Sequence, residues 1–196
     1  MAELAVGQIL SLARHIPRAD ATMKKGTWDK KSFMGEEIRD KVLGLAGLGR
    51  IGQEVARRVA PFGMRVIAHD PFAKGELFKS TGVESVDLDT LYAQSDYISV
   101  HAPLTPQTRD LFDARALSAM PRGSFLINIA RGAHVVEEDL LAALDSGQIA
   151  GATLDVVRTE PLPATHRFWD HPAVRITPHI AGLTNPETAC DEIAEN

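Results

Sequence analysis

Hydrophobic and polar positions change rhythm twice along this chain. Leu4, Ile9, Leu12, Ala13 and Ile16 recur at steps near three and four, which predicts a helix over residues 2–24. Pro17 is expected to bend or restart it. Residues 24–40 are polar, with Gly26 and Gly35. Trp28 and Phe33 in this stretch are too bulky and apolar to be expected in water, so it reads as an ordered surface arm. From residue 42 onward, short apolar runs alternate with helical patterns. Residues 42–46 suit a buried parallel strand. Ile51, Val55, Val59 and Phe62 follow at helical spacing, and Gly63 ends that helix. A second strand is expected at 66–68, a weak one near Val83, and a short helix at 88–94. Residues 96–103 form a strand running into a Pro-marked loop, and 124–129 form a strong strand. The segment EEDLLAALDSG is an amphipathic helix stopped by Gly147. IAGATLDVV and AVRITPHI supply the last two strands. This alternation predicts an α/β fold, a doubly wound parallel sheet with right-handed crossovers.

The stretch KVLGLAGLGRIGQEVARRVAPFGMRVIAHDP gives that fold a task. Gly47, Gly49 and Gly52 are spaced G-x-G-x-x-G between strand and helix, and Asp70 closes the next strand 23 residues after Gly47. Each part has a mechanical reason. Gly47 permits the sharp turn. Gly49 lacks a Cβ, so a pyrophosphate can approach the backbone. Gly52 lets helix and strand pack closely. Main-chain N–H groups around Arg50 and Ile51 would face phosphates at the positive end of a helix. Asp70 can accept both ribose hydroxyls and would repel a 2′-phosphate, so NAD is expected rather than NADP. His69 and Lys74, close by, weaken that exclusion.

Three polar residues follow strand ends, where open α/β sheets hold their ligands: Arg131, Glu160 and His179. An arginine fork grips a carboxylate through two parallel hydrogen bonds. A histidine can donate a proton to an oxygen that gains charge and take it back in reverse. A carboxylate beside it orients the ring. These types suit reduction of a 2-oxo acid by a nicotinamide. Asp155, at the end of GATLD, is a candidate acceptor for the nicotinamide carboxamide. His101 also ends a strand and is the best rival acid, ahead of His134, His166 and His171.

Composition narrows the function classes. At 196 residues the chain is expected to be one domain, and its 44% hydrophobic and 24% charged content is ordinary for a globular protein. A net charge of −5 argues against nucleic acid as a partner. Cys190 is the only cysteine, so no disulfide framework or cysteine metal cluster is expected, and a cytoplasmic setting is. No spacing resembles a metal site. No run of about 18 apolar residues offers a membrane span, and the start MAELAVGQIL lacks signal-peptide features.

GLGRIG, HDP, SVHAPLTPQTR, INIARG, GATLDV, EPLP and TPHIAG occur in an order that resembles the D-isomer-specific 2-hydroxyacid dehydrogenases. The resemblance runs over nearly the whole chain. It implies a Rossmann-type NAD-binding domain with Arg131, Glu160 and His179 as the catalytic set. Besides the three glycines, it places cofactor contacts at Arg50, Ile51, Asp70, Ala102, Pro103, Ala130, Arg131, Asp155, His179 and Gly182. The threonine often found at position 102 is alanine here, so one hydroxyl contact is missing. MKKGTWDKKSFMGEEI resembles D-3-phosphoglycerate dehydrogenase, whereas ARGAHVVEEDLLAALDSG and EPLPATHRFWDHPAV resemble glyoxylate/hydroxypyruvate reductases.

Family members carry a second, smaller substrate domain. By that resemblance residues 1–196 are the dinucleotide-binding domain, with 1–24 the domain-crossing helix and 185–196 the start of a return helix. NAD binding is then expected to survive, with weak or absent turnover. A homodimer through the first helix and the arm is also expected. The competing readings are an isolated NAD-sensing or interaction module, as in the family's corepressor branch, and a formate-dehydrogenase-like enzyme, a branch that replaces Glu160 by glutamine.

Overall fold

Strands that helices cover on both faces need apolar side chains on both. β1 (Val42–Ala46) and β4 (Tyr97–Val100) meet that requirement, with all but Val42 buried. They form the centre of a seven-stranded sheet completed by β2 (Arg65–His69), β3 (Glu84–Ser85), β5 (Ser124–Asn128), β6 (Ile149–Leu154) and β7 (Val174–Ile176). Every pairing is parallel, in the order β3-β2-β1-β4-β5-β6-β7. The doubly wound prediction holds. The strand order reverses between β1 and β4, and such a switch point opens a crevice at the strands' carboxyl ends. This computed structural model describes residues 1–182. The expected return helix at 185–196 and Cys190 lie outside the described residues.

One face of the sheet is covered by α1 (Ala2–Arg14) and α3 (Arg50–Val59), which bury Ala5, Ile9, Leu12, Val55 and Val59 against Leu43, Tyr97 and Ile127. The other face carries α5 (Leu88–Gln94), α6 (Ala114–Ala119) and α7 (Glu137–Asp145), with Leu91, Leu117, Leu140 and Leu144 against Ile98, Val100 and Leu126. Gly63 and Gly147 stand in the left-handed region just past their helices, at φ 76° and 68°, as expected of helix stops. Two short helices go beyond the sequence reading, α4 (Gly75–Thr81) and α6. Asp113 caps α6 by accepting from the Ala116 N–H at 2.9 Å.

One expectation is corrected, the burial of Trp28. The first helix restarts beside Pro17 as predicted: His15 is left-handed at φ 52° and α2 runs Ile16–Lys24. Pro17 sits in the first turn of α2, where a missing N–H costs little. The arm holds Phe33 half-buried, but Trp28 is 80% exposed. The arm is anchored instead by Gly35 and Glu36 at the end of α1, where the Glu36 N–H donates to Ala13 O at 2.9 Å. No helix among the described residues is long and apolar enough to cross a membrane.

Candidate functional site

The glycine loop is shaped by contacts that only glycine allows. Gly47 has φ 105°, and a Cβ there would lie 2.8 Å from Ala102 N and 2.9 Å from His101 C. The loops after β1 and β4 therefore touch main chain to main chain. A Cβ on Gly52 would lie 2.5 Å from Gly47 O, so this glycine seats α3 against the loop. Gly49, the cap of α3, has nothing within 4 Å of its Cβ position. Open space beside an extended glycine at a helix start, with no acidic residue in that helix's first turn, fits a diphosphate. Asp70 follows β2 and ties the loop from the side: Oδ2 accepts from Leu48 N at 2.8 Å, and Oδ1 from Phe72 N at 2.9 Å. Each oxygen keeps a lone pair for a ribose hydroxyl. Asp70→Ala is expected to narrow the preference for NADH over NADPH, measured by calorimetry. An unchanged preference would assign the discrimination to another group.

Arg131 follows β5. Its exposed guanidinium donates to Ala130 O at 2.6 Å. Its backbone is held by residues whose part the sequence did not reveal. Buried Asn128 accepts from Ala130 N at 3.0 Å and donates to Arg131 O at 2.9 Å. His134 Nδ1 lies 2.9 Å from the same carbonyl, which makes Nδ1 the protonated nitrogen. Gly132 has room for nothing larger, since a Cβ would lie 2.0 Å from Val157 C. That contact brings the loop after β5 against the loop after β6. Arg131, Ala130, Ala102, Pro103 and Ile51 line one cavity of about 440 Å³.

Glu160 and His179 line a second cavity, of about 630 Å³, with Asp155. His179 Nδ1 lies 2.7 Å from Glu160 Oε2, and Glu160 Oε1 accepts from Val157 N at 3.2 Å. The Glu160–Pro161 bond is cis. Desolvation pushes the Glu160 carboxyl up. The His179 bond, the Val157 N–H and the charges of His179 and Arg131 outweigh it, so Glu160 is held below its ordinary value. Arg131 is therefore an electrostatic neighbour of the pair. His179 is left-handed at φ 53°. Its N–H donates to Asp155 O at 2.9 Å. Asp155 is 1% exposed, and its carboxylate accepts from Thr177 Oγ1 (2.5 Å), Ile180 N (3.0 Å) and Ala181 N (2.8 Å). Three donors leave about one acceptor position for a carboxamide. Gly182 follows directly in the same loop.

The rival histidines separate from His179 by their partners. The His101 ring nitrogens are sealed from water and bond to nothing. Burial pushes His101 down to about 4, so it is neutral and has no carboxylate to orient it. His134 is committed to Arg131 O. His166 and His171 lie along α7, 3.4 Å from Glu137 and 3.2 Å from Asp145. Only His179 pairs with a carboxylate at the crevice, among the described residues.

Sheet order, glycine cradle and Arg–Glu–His cluster together define the cofactor domain of a dinucleotide-linked oxidoreductase. Comparison with known proteins agrees: residues 6–181 match the family model "D-isomer specific 2-hydroxyacid dehydrogenase, NAD binding domain". The chain belongs to that family, whose members are NAD-dependent oxidoreductases acting on small 2-hydroxy and 2-oxo acids. It is 45% identical over 192 residues to a D-3-phosphoglycerate dehydrogenase of Sus scrofa, covering 97% of this chain and 36% of that protein. It is 45% identical over 186 residues to a hydroxypyruvate reductase of Thermotoga maritima, covering 94% and 60%. A Staphylococcus aureus formate dehydrogenase solved with NAD superposes with a TM-score of 0.87 at 35% identity, over 99% of this chain and 60% of that one. The chain thus spans between about a third and three fifths of the proteins it matches here.

Proposed function

We propose that this chain binds NAD(H) across the carboxyl ends of β1, β4, β5 and β6 and serves hydride transfer between nicotinamide and a D-2-hydroxy acid or its 2-oxo acid. The observation that carries this is the His179–Glu160 pair, 2.7 Å apart, beside Arg131 at the edge that also holds the glycine cradle. Gly47, Gly49 and Gly52, with Arg50 and Ile51, would hold the diphosphate, and Asp70 the adenosine ribose. Ala102, Pro103, Ala130, Asp155 and Gly182 would line the nicotinamide half. Bound nicotinamide supplies the hydride chemistry.

The chain's own side chains supply the rest. Arg131 grips the substrate carboxylate and fixes which face of the 2-carbon is presented. Glu160 fixes the ring of His179 by holding Nδ1, which leaves Nε2 to exchange a proton with the substrate oxygen. The negative charge of Glu160 favours the imidazolium that forms during alcohol oxidation. The substrate is of 3-phosphoglycerate or glyoxylate/hydroxypyruvate type. The single cysteine supports assignment to the cytoplasm.

Calorimetry with NADH and NADPH tests the cradle. NADH is expected to bind more tightly, and heat from neither would overturn the reading. In any form of the protein that turns over glyoxylate, hydroxypyruvate or phosphohydroxypyruvate, His179→Gln is expected to lower kcat by about 10²–10⁴. NADH affinity should change far less. A kcat within a factor of a few of the parent's would remove His179 from the proton-transfer role.

We also propose a homodimer formed through α1, α2 and the arm. Trp28 and Met34 are 80% and 83% exposed there, and Ile16 and Met23 of α2 are about half exposed. Exposed apolar groups gathered on one segment mark a contact surface. Sedimentation at micromolar concentration is expected to show twice the chain mass, and monomer alone would contradict it.

A further inference from the structure

Glu160 reaches His179 from the loop that follows β6, and the ends of that loop meet at a side chain the proposed chemistry does not use. Arg158 N donates to Glu137 Oε1 at 2.8 Å. His166 Nε2 lies 3.4 Å from Glu137 Oε2. His166 Nδ1 accepts from Phe168 N at 3.2 Å, so the neutral ring carries its proton on Nε2, facing the carboxylate. Glu137 is therefore shared between residues 158 and 166. The segment between them holds Glu160, which lines the cavity of about 630 Å³ together with Pro161 and Leu162. The Glu137 and His166 side chains are 14% and 17% exposed.

Arg158 ties the same point to two more loops. Its Nε donates to Val135 O at 2.6 Å, and its guanidinium pairs with Asp110. Val157, one residue earlier, abuts Gly132 and gives its N–H to Glu160 Oε1 at 3.2 Å. The main chain at 157–158 is thus a junction. One N–H points to the carboxylate in the crevice, and the next points to Glu137. Glu137 also opens α7, where a negative charge suits the helix N-terminus. That role does not require a main-chain donor 21 residues away in sequence.

We infer that Glu137 is a positioning residue for Glu160: by holding Arg158 N and facing His166 it clasps both ends of the loop, and so sets where Val157 N and the Glu160 carboxylate stand relative to His179. This rests on the reading of Glu160 as the group that orients His179. Glu137 acts through the loop, not on substrate or cofactor.

NMR of the Glu160 carboxyl carbon through an acid titration tests this on the chain itself, without turnover. Desolvation raises the Glu160 pKa, and the His179 bond and the Val157 N–H outweigh it. Glu137→Ala frees the loop, weakens both bonds and is expected to move the Glu160 midpoint up. Loss of a nearby negative charge would by itself move it down, so the direction separates geometry from field. Glu137→Gln keeps an oxygen for Arg158 N and is expected to bring the midpoint back toward the parent's. NADH affinity should be unchanged in both. In a form that turns over a 2-oxo acid, Glu137→Ala is expected to lower kcat by about ten- to a hundredfold, with Glu137→Gln recovering most of it. Urea unfolding shows whether Glu137→Ala is folded. If it is not, His166→Phe takes its place. That variant keeps a ring against Phe168, 4.4 Å between centroids, lets Glu137 turn away and is expected to move the midpoint up by less. A midpoint that stays or falls in the folded variant would overturn the inference and leave Glu137 as a helix-end charge. A midpoint that rises, while His179→Gln keeps kcat near the parent's, would uphold the clasp and remove the proton-transfer reading instead.

Discussion

Gly47→Ala is expected to cost this chain its NADH affinity, by about a hundredfold or more. Two effects act together. At φ 105° an alanine is strained by about 1–3 kcal/mol, and its methyl would meet the Ala102 main chain at 2.8 Å. Neither Gly47 nor residue 102 can retreat cheaply. Gly47 N donates to His69 O at 2.9 Å, and His101 N donates to Ala46 O at 2.8 Å, so both loops are hung from strand ends. The strain is relieved only by moving the loop away from the position in which its N–H groups face a diphosphate. About 2.7 kcal/mol corresponds to a hundredfold in affinity. Calorimetry reads the affinity, and urea unfolding shows that the variant remains folded. An alanine variant that binds NADH as the parent does would refute the role given to this turn.

Asp155→Ala should have the largest effect on stability. Its carboxylate is the common acceptor for Thr177 Oγ1, Ile180 N and Ala181 N, in a position 1% exposed. Truncation leaves three donors unsatisfied at about 1–3 kcal/mol each, lessened where water enters, so a loss of about 3–5 kcal/mol is expected. Urea unfolding measures it directly. Asp155→Asn keeps the volume and one acceptor oxygen and should lose less. If both variants unfold at the parent's midpoint, the clamp contributes nothing and His179 is held by other means.

The cradle was legible in the sequence because each of its glycines answers a separate mechanical need, and those needs leave a fixed spacing. The residues of the proposed catalytic set were legible for a related reason: Arg131, Glu160 and His179 each follow a strand's carboxyl end, and the sheet order brings those ends to one side. What supports them was not. Asn128, His134 and Thr177 act on main-chain atoms or on another buried side chain, and their types carry no sign of that task. Gly132 fits no spacing rule, because its reason is the neighbouring loop at Val157. The break between α1 and α2 was legible in Pro17, whose ring signals a helix start, but its exact place at His15 was not. Trp28 misled because burial was inferred from size alone. α4 and α6 were missed because helices of seven and six residues are too short to show a period.

Hydrogen bonds between neighbouring loops link the groups proposed to react into one body. Asp155 N donates to Asn128 O and His179 N donates to Asp155 O, each at 2.9 Å, while Gly132 abuts Val157. The groups proposed as proton donor, orienting carboxylate and anion fork thus share one hydrogen-bonded foundation. Whatever closes over the crevice can tilt, widen or be exchanged without re-aiming them. A change of metabolite is then a matter for the opposite wall, and the bond-making machinery need not evolve along with it.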